Sequence, residues 1–416
     1  MSRRPVTSTP AASAGEIFGL IKDGKADTRA EIARLTGLSR TAVTLRVNQL
    51  LEEGLVIDRI DGRSTGGRPP SRLEFQTGGG IVVAAALGLS RTQLAICDLA
   101  GEVIHESRPN VDLQRGPDFA VDAVLEELDH MLAESGVPAD SIRGVGVSIP
   151  GPVEPSTGRS IMPPALPGWD RVAIAPLFSA RLTAPVRVEN DVNALALGER
   201  RNHAHAQVDD MLFIKVSTGI GAAVVSGGQL QRGALGAAGE IGHIRVRDGG
   251  GAICRCGSID CLEAVASAWA LLRQLEESGR TIEDVRDLAQ LVRNGDPEVL
   301  GLIRTAGRRL GEILAGAVNL LNPAVIVIGG DLAGARDPLM AGVREAIYQQ
   351  STSAATRDLR VVSSGMVKRA GVTGCAAVAL DYVLSPKSVD AAIARRAGAQ
   401  SLGIEHAPPS ILASSR

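Results

Sequence analysis

The chain has 416 residues, with 44 Lys and Arg against 46 Asp and Glu and a formal net charge of −2. That length leaves room for two or three domains with sizeable cores, and 44% hydrophobic against 22% charged residues excludes global disorder. No window approaches eighteen uninterrupted apolar residues, no apolar run follows the N-terminal arginines, and aromatics number only nine. These absences speak against a membrane span, a secretory leader and a binder that stacks single-stranded bases on rings, so a cytoplasmic location is expected.

The small net charge hides an uneven distribution. Residues 1–77 hold 12 basic and 9 acidic side chains, hence +3, and the remaining 32 basic and 37 acidic residues give −5. Within the basic part, Ser13 and Glu16 have capping-box spacing and open a helix ending near Gly24. Thr28 and Glu31 repeat the spacing ahead of a second helix that Gly37 closes with a tight turn. Ser39 caps a third helix ending at Gly54, with Val43, Val47 and Leu50 on its core face. Thr41, Thr44, Leu45 and Asn48 occupy the opposite face, with Arg40 in the first turn.

Two helices around a glycine turn, the second polar outside, form a helix-turn-helix whose second helix enters the major groove. LVIDRI, the Asp61-Gly62 turn and RLEF then read as a hairpin wing. Arg63, Arg68 and Arg72 near its tip suit phosphates or the minor groove. Residues 13–77 are thus expected to form a winged helix-turn-helix domain bound to double-stranded operator DNA, contacted by Ser39, Arg40, Thr41, Thr44, Leu45, Asn48, Arg63 and Arg68. The plainer alternative is a helical oligomerisation module with a solvated basic loop.

Beyond the short glycine linker Gly78–Gly80, apolar strands alternate with Gly-rich turns and Ala-rich helices. IVVAAALGL, TQLAICD and EVIHESR make a β-meander whose layout returns in MLFIKVS, GAAVVSG and QLQRG. The fold class is α/β, and the repeat points to a duplicated body with a cleft between two lobes.

Six motifs follow in order: GVGVSIPGPV from Gly144, VENDVNALALGE from Val188, STGIG from Ser217, GEIGH from Gly239, CRCGSIDCLE from Cys254 and NPAVIVIGGDL from Asn322. In this order and spacing, residues 80–384 resemble the ROK family of repressors, open reading frames and sugar kinases, and the winged head resembles its repressor branch. The resemblance implies an actin-like, ribonuclease-H-like two-lobed ATPase fold with a sugar between the lobes.

Cys254, Cys256 and Cys261 fall within eight residues, a spacing that suits a soft tetrahedral metal site, usually zinc. His243 matches the family's histidine and supplies the fourth donor, so the motif 243–261 is expected to hold a structural Zn2+ with no open position. The alternative is three buried free thiols. Asn190, Asp191, Glu240, His243 and Glu263 match the family's sugar-binding positions, and the two ring nitrogens of His243 allow one to face metal and the other sugar. Singly, the glutamates are loop carboxylates and Asn190-Asp191 a helix cap.

Asp191 also matches the family's catalytic base, which deprotonates the attacking sugar hydroxyl. The kinases carry D-x-G-x-T at the first hairpin, where this chain reads Ala86-Leu87-Gly88-Leu89-Ser90, followed by Arg91. Loss of the metal-organising carboxylate makes ATP and Mg2+ unexpected ligands and Asp191 a vestigial base. Three further departures are Ala165 where members often carry a sugar-contacting Asn, Asp260 where Gly is usual, and Leu45 where recognition helices commonly carry Arg.

The expected function is a transcriptional repressor of carbohydrate-related genes, a homodimer or higher homo-oligomer, released by a sugar or sugar-phosphate effector. The rival readings are an active ATP-dependent sugar kinase carrying a DNA-binding head, and a repressor whose body only dimerises. Residues 385–416 read as a C-terminal tail, a short amphipathic helix and a disordered end without assigned function.

Overall fold

Hydroxyl caps start all three helices of the head. In this computed structural model, which describes residues 12–60, 71–201, 205–280, 282, 285–332, 336–366 and 369–401, α1 spans Ala14–Lys22, α2 Arg29–Thr36 and α3 Arg40–Glu52. The Ser13 backbone N–H donates to Glu16 Oε2 at 2.7 Å while Glu16 N–H donates to Ser13 Oγ at 3.1 Å, a complete capping box. Thr28 and Ser39 accept from Glu31 N–H and Ala42 N–H in the same way. Gly37 closes α2 at φ 71°, the left-handed conformation that costs an L side chain energy. Strands β1 (Val56–Ile60) and β2 (Ser71–Phe75) pair antiparallel, with Val56 opposite Phe75. The hairpin turn and the wing tip, with Arg63 and Arg68, lie outside the described residues.

The duplication read from the two meanders is realised in the strand order. Strands β3 (Ile81–Ala86), β4 (Gln93–Asp98), β5 (Val103–Ser107), β6 (Ile142–Ile149) and β7 (Val186–Asn190) form a sheet ordered β5-β4-β3-β6-β7. Strands β8 (Met211–Val216), β9 (Ile220–Ser226), β10 (Gln229–Gln231), β11 (Val325–Gly329) and β12 (Arg360–Ser363) form a second sheet ordered β10-β9-β8-β11-β12. In each, three antiparallel strands are extended by two parallel ones. Parallel neighbours need crossovers. These are α4 (Pro117–Ser135) and α5 (Ile174–Ser179) in lobe one, and in lobe two the helices between 262 and 350, of which the longest spans Pro297–Leu321. The helices Asp191–Arg200 and Ala370–Val383 pack against each other between the sheets.

Head and body share a core. Ile17, Phe18, Val47 and Leu50 of the head belong to the same buried cluster as Val82, Ala95, Leu380 and Val389 of the body. The glycine stretch 78–80 is a packed turn: a Cβ on Gly79 would lie 1.9 Å from the Gly54 carbonyl oxygen. Against this turn sits Arg143, mostly buried, whose Nε donates to the Gly79 carbonyl at 2.7 Å and Nη2 to the Glu53 carbonyl at 2.5 Å. Its Nη1 lies 3.5 Å from the buried Glu53 carboxylate. Burial lowers the Arg143 pKa, and the Glu53 charge opposes that shift.

The C-terminal segment also joins the head. Its helix runs from Pro386 to Ser401 and lies along α1, where Gly15 N–H donates to Asp390 Oδ1 at 2.8 Å. Residues 402–416, placed in a disordered end by the sequence reading, lie outside the described residues.

Removing the guanidinium strands a buried carboxylate and two carbonyl groups. Arg143→Ala should therefore cost about 3 kcal/mol of stability in a urea unfolding experiment, and a change below about 1 kcal/mol would contradict the clamp.

Candidate functional site

On the recognition helix the amphipathic reading holds side chain by side chain. Val43, Val47 and Leu50 are fully buried, while Arg40, Thr41, Thr44, Leu45 and Asn48 are exposed. Leu45 is 60% exposed. Ser39 is exposed, with its Oγ engaged as the helix cap. Thr44 returns its hydroxyl to the Arg40 carbonyl at 2.9 Å. Arg72, grouped with the wing arginines by sequence, pairs with Asp27 at 2.8 Å and so ties the wing to the turn before α2.

Between the lobes lies a cleft that Asn190, Asp191, Glu240, His243 and Glu263 all line. Asn190 caps the helix that Asp191 begins: its Oδ1 accepts from Val192 N–H at 2.9 Å and Asn193 N–H at 3.0 Å. Its Nδ2 donates to the Gly151 carbonyl at 2.9 Å, so the cap and the cleft wall are one residue. The loop glycines of STGIG let Glu263 approach, since a Cβ on Gly219 would lie 2.5 Å from Glu263 Oε2. That oxygen accepts from Ile220 N–H at 3.1 Å. Burial, then the like charges of Asp191 and Glu263, pushes the Glu240 carboxyl up to about 7. Ala165 also lines the cleft, in a loop anchored by Trp169, whose buried indole N–H donates to the Leu113 carbonyl at 2.9 Å.

His243 faces two ways. Its Nδ1 lies 3.6 Å from Cys254 Sγ, and its Nε2 lies 3.7 Å from Glu240 Oε2 on the cleft side. Cys256 and Cys261 place their sulfurs 3.7 Å apart, and the four donor atoms lie within 4.8 Å of one another. A tetrahedral ion with bonds near 2.3 Å to sulfur has ligand–ligand edges of about 3.7 Å, so this donor set could hold a metal ion. Asp260 takes φ 60°, the left-handed region where glycine is the easier residue. It is held there by Gly251 N–H, 2.8 Å from Oδ1, and by Arg245 at 3.3 Å from Oδ2. The turn survives the replacement because a short acceptor side chain ties down its own loop.

Sequence reasoning passed over three cations. Lys215, on β8, lies 2.5 Å from Asp191 Oδ2. Arg255, between two of the cysteines, binds Glu263 Oε1 at 2.9 Å and the Thr218 carbonyl at 3.1 Å. Arg91 binds the nearly buried Asp331 carboxylate, joined by the hydroxyls of Ser217 and Ser90. Burial alone would raise the Asp331 pKa, but these bonds outweigh it and lower the value. A signal existed for Lys215, since a lysine inside the run MLFIKVS is a charge in an apolar strand. Arg91 and Arg255 sit in loops where sequence assigns no partner.

Asp191 and Lys215 stand on the wall shared with a second cleft. The hairpin Ala86–Arg91 lines it on one side and Gly329, Gly330 and Asp331 on the other. The only carboxylates lining that second cleft, among the described residues, are Asp191 and Asp331, and each carries its own cation.

A family model for the ROK family matches residues 82–382, and one for winged helix-turn-helix DNA-binding matches residues 21–57. The chain is 28% identical over 384 residues to a xylose repressor of Caldicellulosiruptor bescii, covering 89% of this chain and 95% of that one. It is 28% identical over 373 residues to the DNA-binding transcriptional dual regulator NagC of Escherichia coli, covering 87% and 91%. Among solved structures, a ROK family transcriptional regulator described as a homologue of the E. coli MLC protein superposes with a TM-score of 0.75 at 27% identity, over 92% of this chain and 98% of that one.

The left-handed turn at Asp260 yields a ranking. Asp260→Gly should stay within about 1 kcal/mol of the parent, whereas Asp260→Val should lose about 2 kcal/mol or more, read as a fall in midpoint in parallel thermal melts.

Proposed function

The chain belongs to the ROK family, and on that premise we propose that it is a transcriptional repressor whose hold on operator DNA is set by a sugar in the interlobe cleft. The observation that carries this reading is a winged head with an exposed polar recognition face built into the same core as a cleft lined by Asn190, Asp191, Glu240, His243 and Glu263. Carboxylates and an imidazole at fixed angles suit hydroxyl-rich ligands. The relatives described as a xylose repressor and as NagC support a sugar-related role.

Direct readout falls to Arg40, Thr41, Thr44, Leu45 and Asn48, with Ser39 at the helix start and Arg63 and Arg68 of the wing on the backbone. Two heads in a homodimer would meet half-sites about 34–36 Å apart or a multiple of it, so a small reorientation of either head disengages the pair. Sugar drives release only through a higher affinity for the disengaged arrangement. We assign zinc to His243, Cys254, Cys256 and Cys261, where it would orient the His243 ring toward the sugar and, with four protein ligands, leave no position for substrate.

We assign no phosphoryl transfer to the body. The Asp191 carboxylate, at the position of the family's general base, is in contact with the Lys215 ammonium. At the hairpin where the kinases of this family carry an aspartate, Ala86 presents a methyl group.

Four measurements test these assignments. Asn48→Ala and Thr41→Ala should each weaken binding to the operator recovered by genomic selection roughly tenfold while leaving the melting temperature unchanged. A panel of pentoses, hexoses and amino sugars should contain at least one that releases the operator from the parent but not from Glu263→Gln. An operator complex that no sugar or sugar phosphate alters would overturn the effector assignment. Metal analysis should find about one zinc per chain, and Cys256→Ser should lower both metal content and sugar-induced thermal stabilisation. ATP turnover on the same sugars, abolished by Asp191→Asn, would establish a kinase instead.

A further inference from the structure

At the junction of head and body lies an open pocket of about 970 Å³, away from the sugar cleft. Its walls come from four parts of the chain: the end of the recognition helix and the start of the wing (Glu53, Leu55), the β6–β7 edge of lobe one, the end of the helix Ala370–Val383, and the C-terminal helix. Five cationic side chains line it, namely Arg143, Arg187, Lys387, Arg395 and Arg396. Against them stand two carboxylates, Glu53 and Asp140, and the Glu53 carboxylate is already paired with Arg143. The lining thus carries an excess of three positive charges, in a body whose net charge is −5.

That excess is opposite in sign to the net charge of the body, and its placement is ordered. The Arg187 guanidinium stacks on the Tyr382 ring at 3.8 Å from the centroid, which fixes its direction at little further entropic cost. Arg143 is held by three contacts at the floor. Like charges gathered in one concavity repel, and a multiply charged anion relieves that repulsion while accepting hydrogen bonds from several guanidinium groups. The volume lies at the upper end of small-ligand sites.

We propose that this cavity is a second effector site, for a small metabolite carrying two or more negative charges, of the phosphate-ester or diphosphate class. Such a ligand would touch the head, lobe one and the C-terminal helix together, and would favour the state in which the head is docked on the body. The site is independent of the sugar cleft and of whether sugars release the operator.

The test uses the full-length protein and inorganic pyrophosphate at constant ionic strength. Calorimetric titration should show one saturable site per chain, present equally in the parent and in the sugar-cleft variant Glu263→Gln. The double variant Arg187→Ala/Arg395→Ala, at two exposed positions, should weaken it at least tenfold, and Lys387→Gln alone by a few-fold. Amide exchange in residues 50–56 and 386–396 should slow on saturation in the parent only. No saturable binding, or equal binding by the parent and the double variant, overturns the proposal. So does a double variant that loses affinity for a non-operator duplex while pyrophosphate binds neither protein, since the groove would then be a path for DNA.

Discussion

Arg143 is the contact on which the working of the two halves together depends. A guanidinium is costly to bury, and here it is buried at the seam between a DNA-reading head and a ligand-binding body, where its donors satisfy two backbone carbonyls and one carboxylate. Because those acceptors belong to the end of the recognition helix and to the glycine turn after the wing, the helix cannot tilt independently of lobe one without breaking them. The shared apolar cluster and the C-terminal helix along α1 reinforce the same seam. The head is therefore seated on the body, and anything that moves lobe one or the C-terminal helix moves the reading surface.

The body is built by duplication, and two ion pairs bridge the cleft between the copies. Lys215 against Asp191 and Arg91 against Asp331 place protein cations beside the carboxylates on the hairpin side. Both pairs cross between lobes: Arg91 leaves the first hairpin of lobe one for the end of β11, and Lys215 leaves β8 for the helix that follows β7. Their effect is to hold the lobes together by the chain's own charges. On the other side of the wall, Glu240, His243 and Glu263 remain grouped around open space, which is the arrangement a hydroxylated ligand needs. His243 links that group to the cysteine cluster, so the cysteine loop and the cleft meet at one ring.

Much of this was legible in the chain. Cap residues at Ser13, Thr28 and Ser39, the apolar period of Val43, Val47 and Leu50, and the meander repeat are local patterns, and local patterns survive folding because backbone hydrogen bonding imposes them wherever they fall. The four-donor cluster was legible for a related reason, since three thiols within eight residues constrain one another before any tertiary structure exists. Asp260 was visible as a departure, but its tolerance became intelligible only with φ at 60° and the Gly251 N–H in place.

By itself, then, the sequence determined the elements of the head, the fold class, the donor set of the cysteine cluster and, through the family resemblance, five of the residues that line the cleft. Only the tertiary structure decided which charges meet. Lys215 and Asp191 are 24 positions apart, Arg91 and Asp331 are 240, and Arg143 and Glu53 are 90. No periodicity or spacing rule reaches across such distances, because a charge finds its partner through the packing of whole lobes. The same holds for the glycine turn, read as a short linker from composition and packed because Arg143 and the Gly54 carbonyl leave no room for a side chain. It holds for the C-terminal helix too, whose amphipathic pattern announces a buried face but names no surface to bury it against.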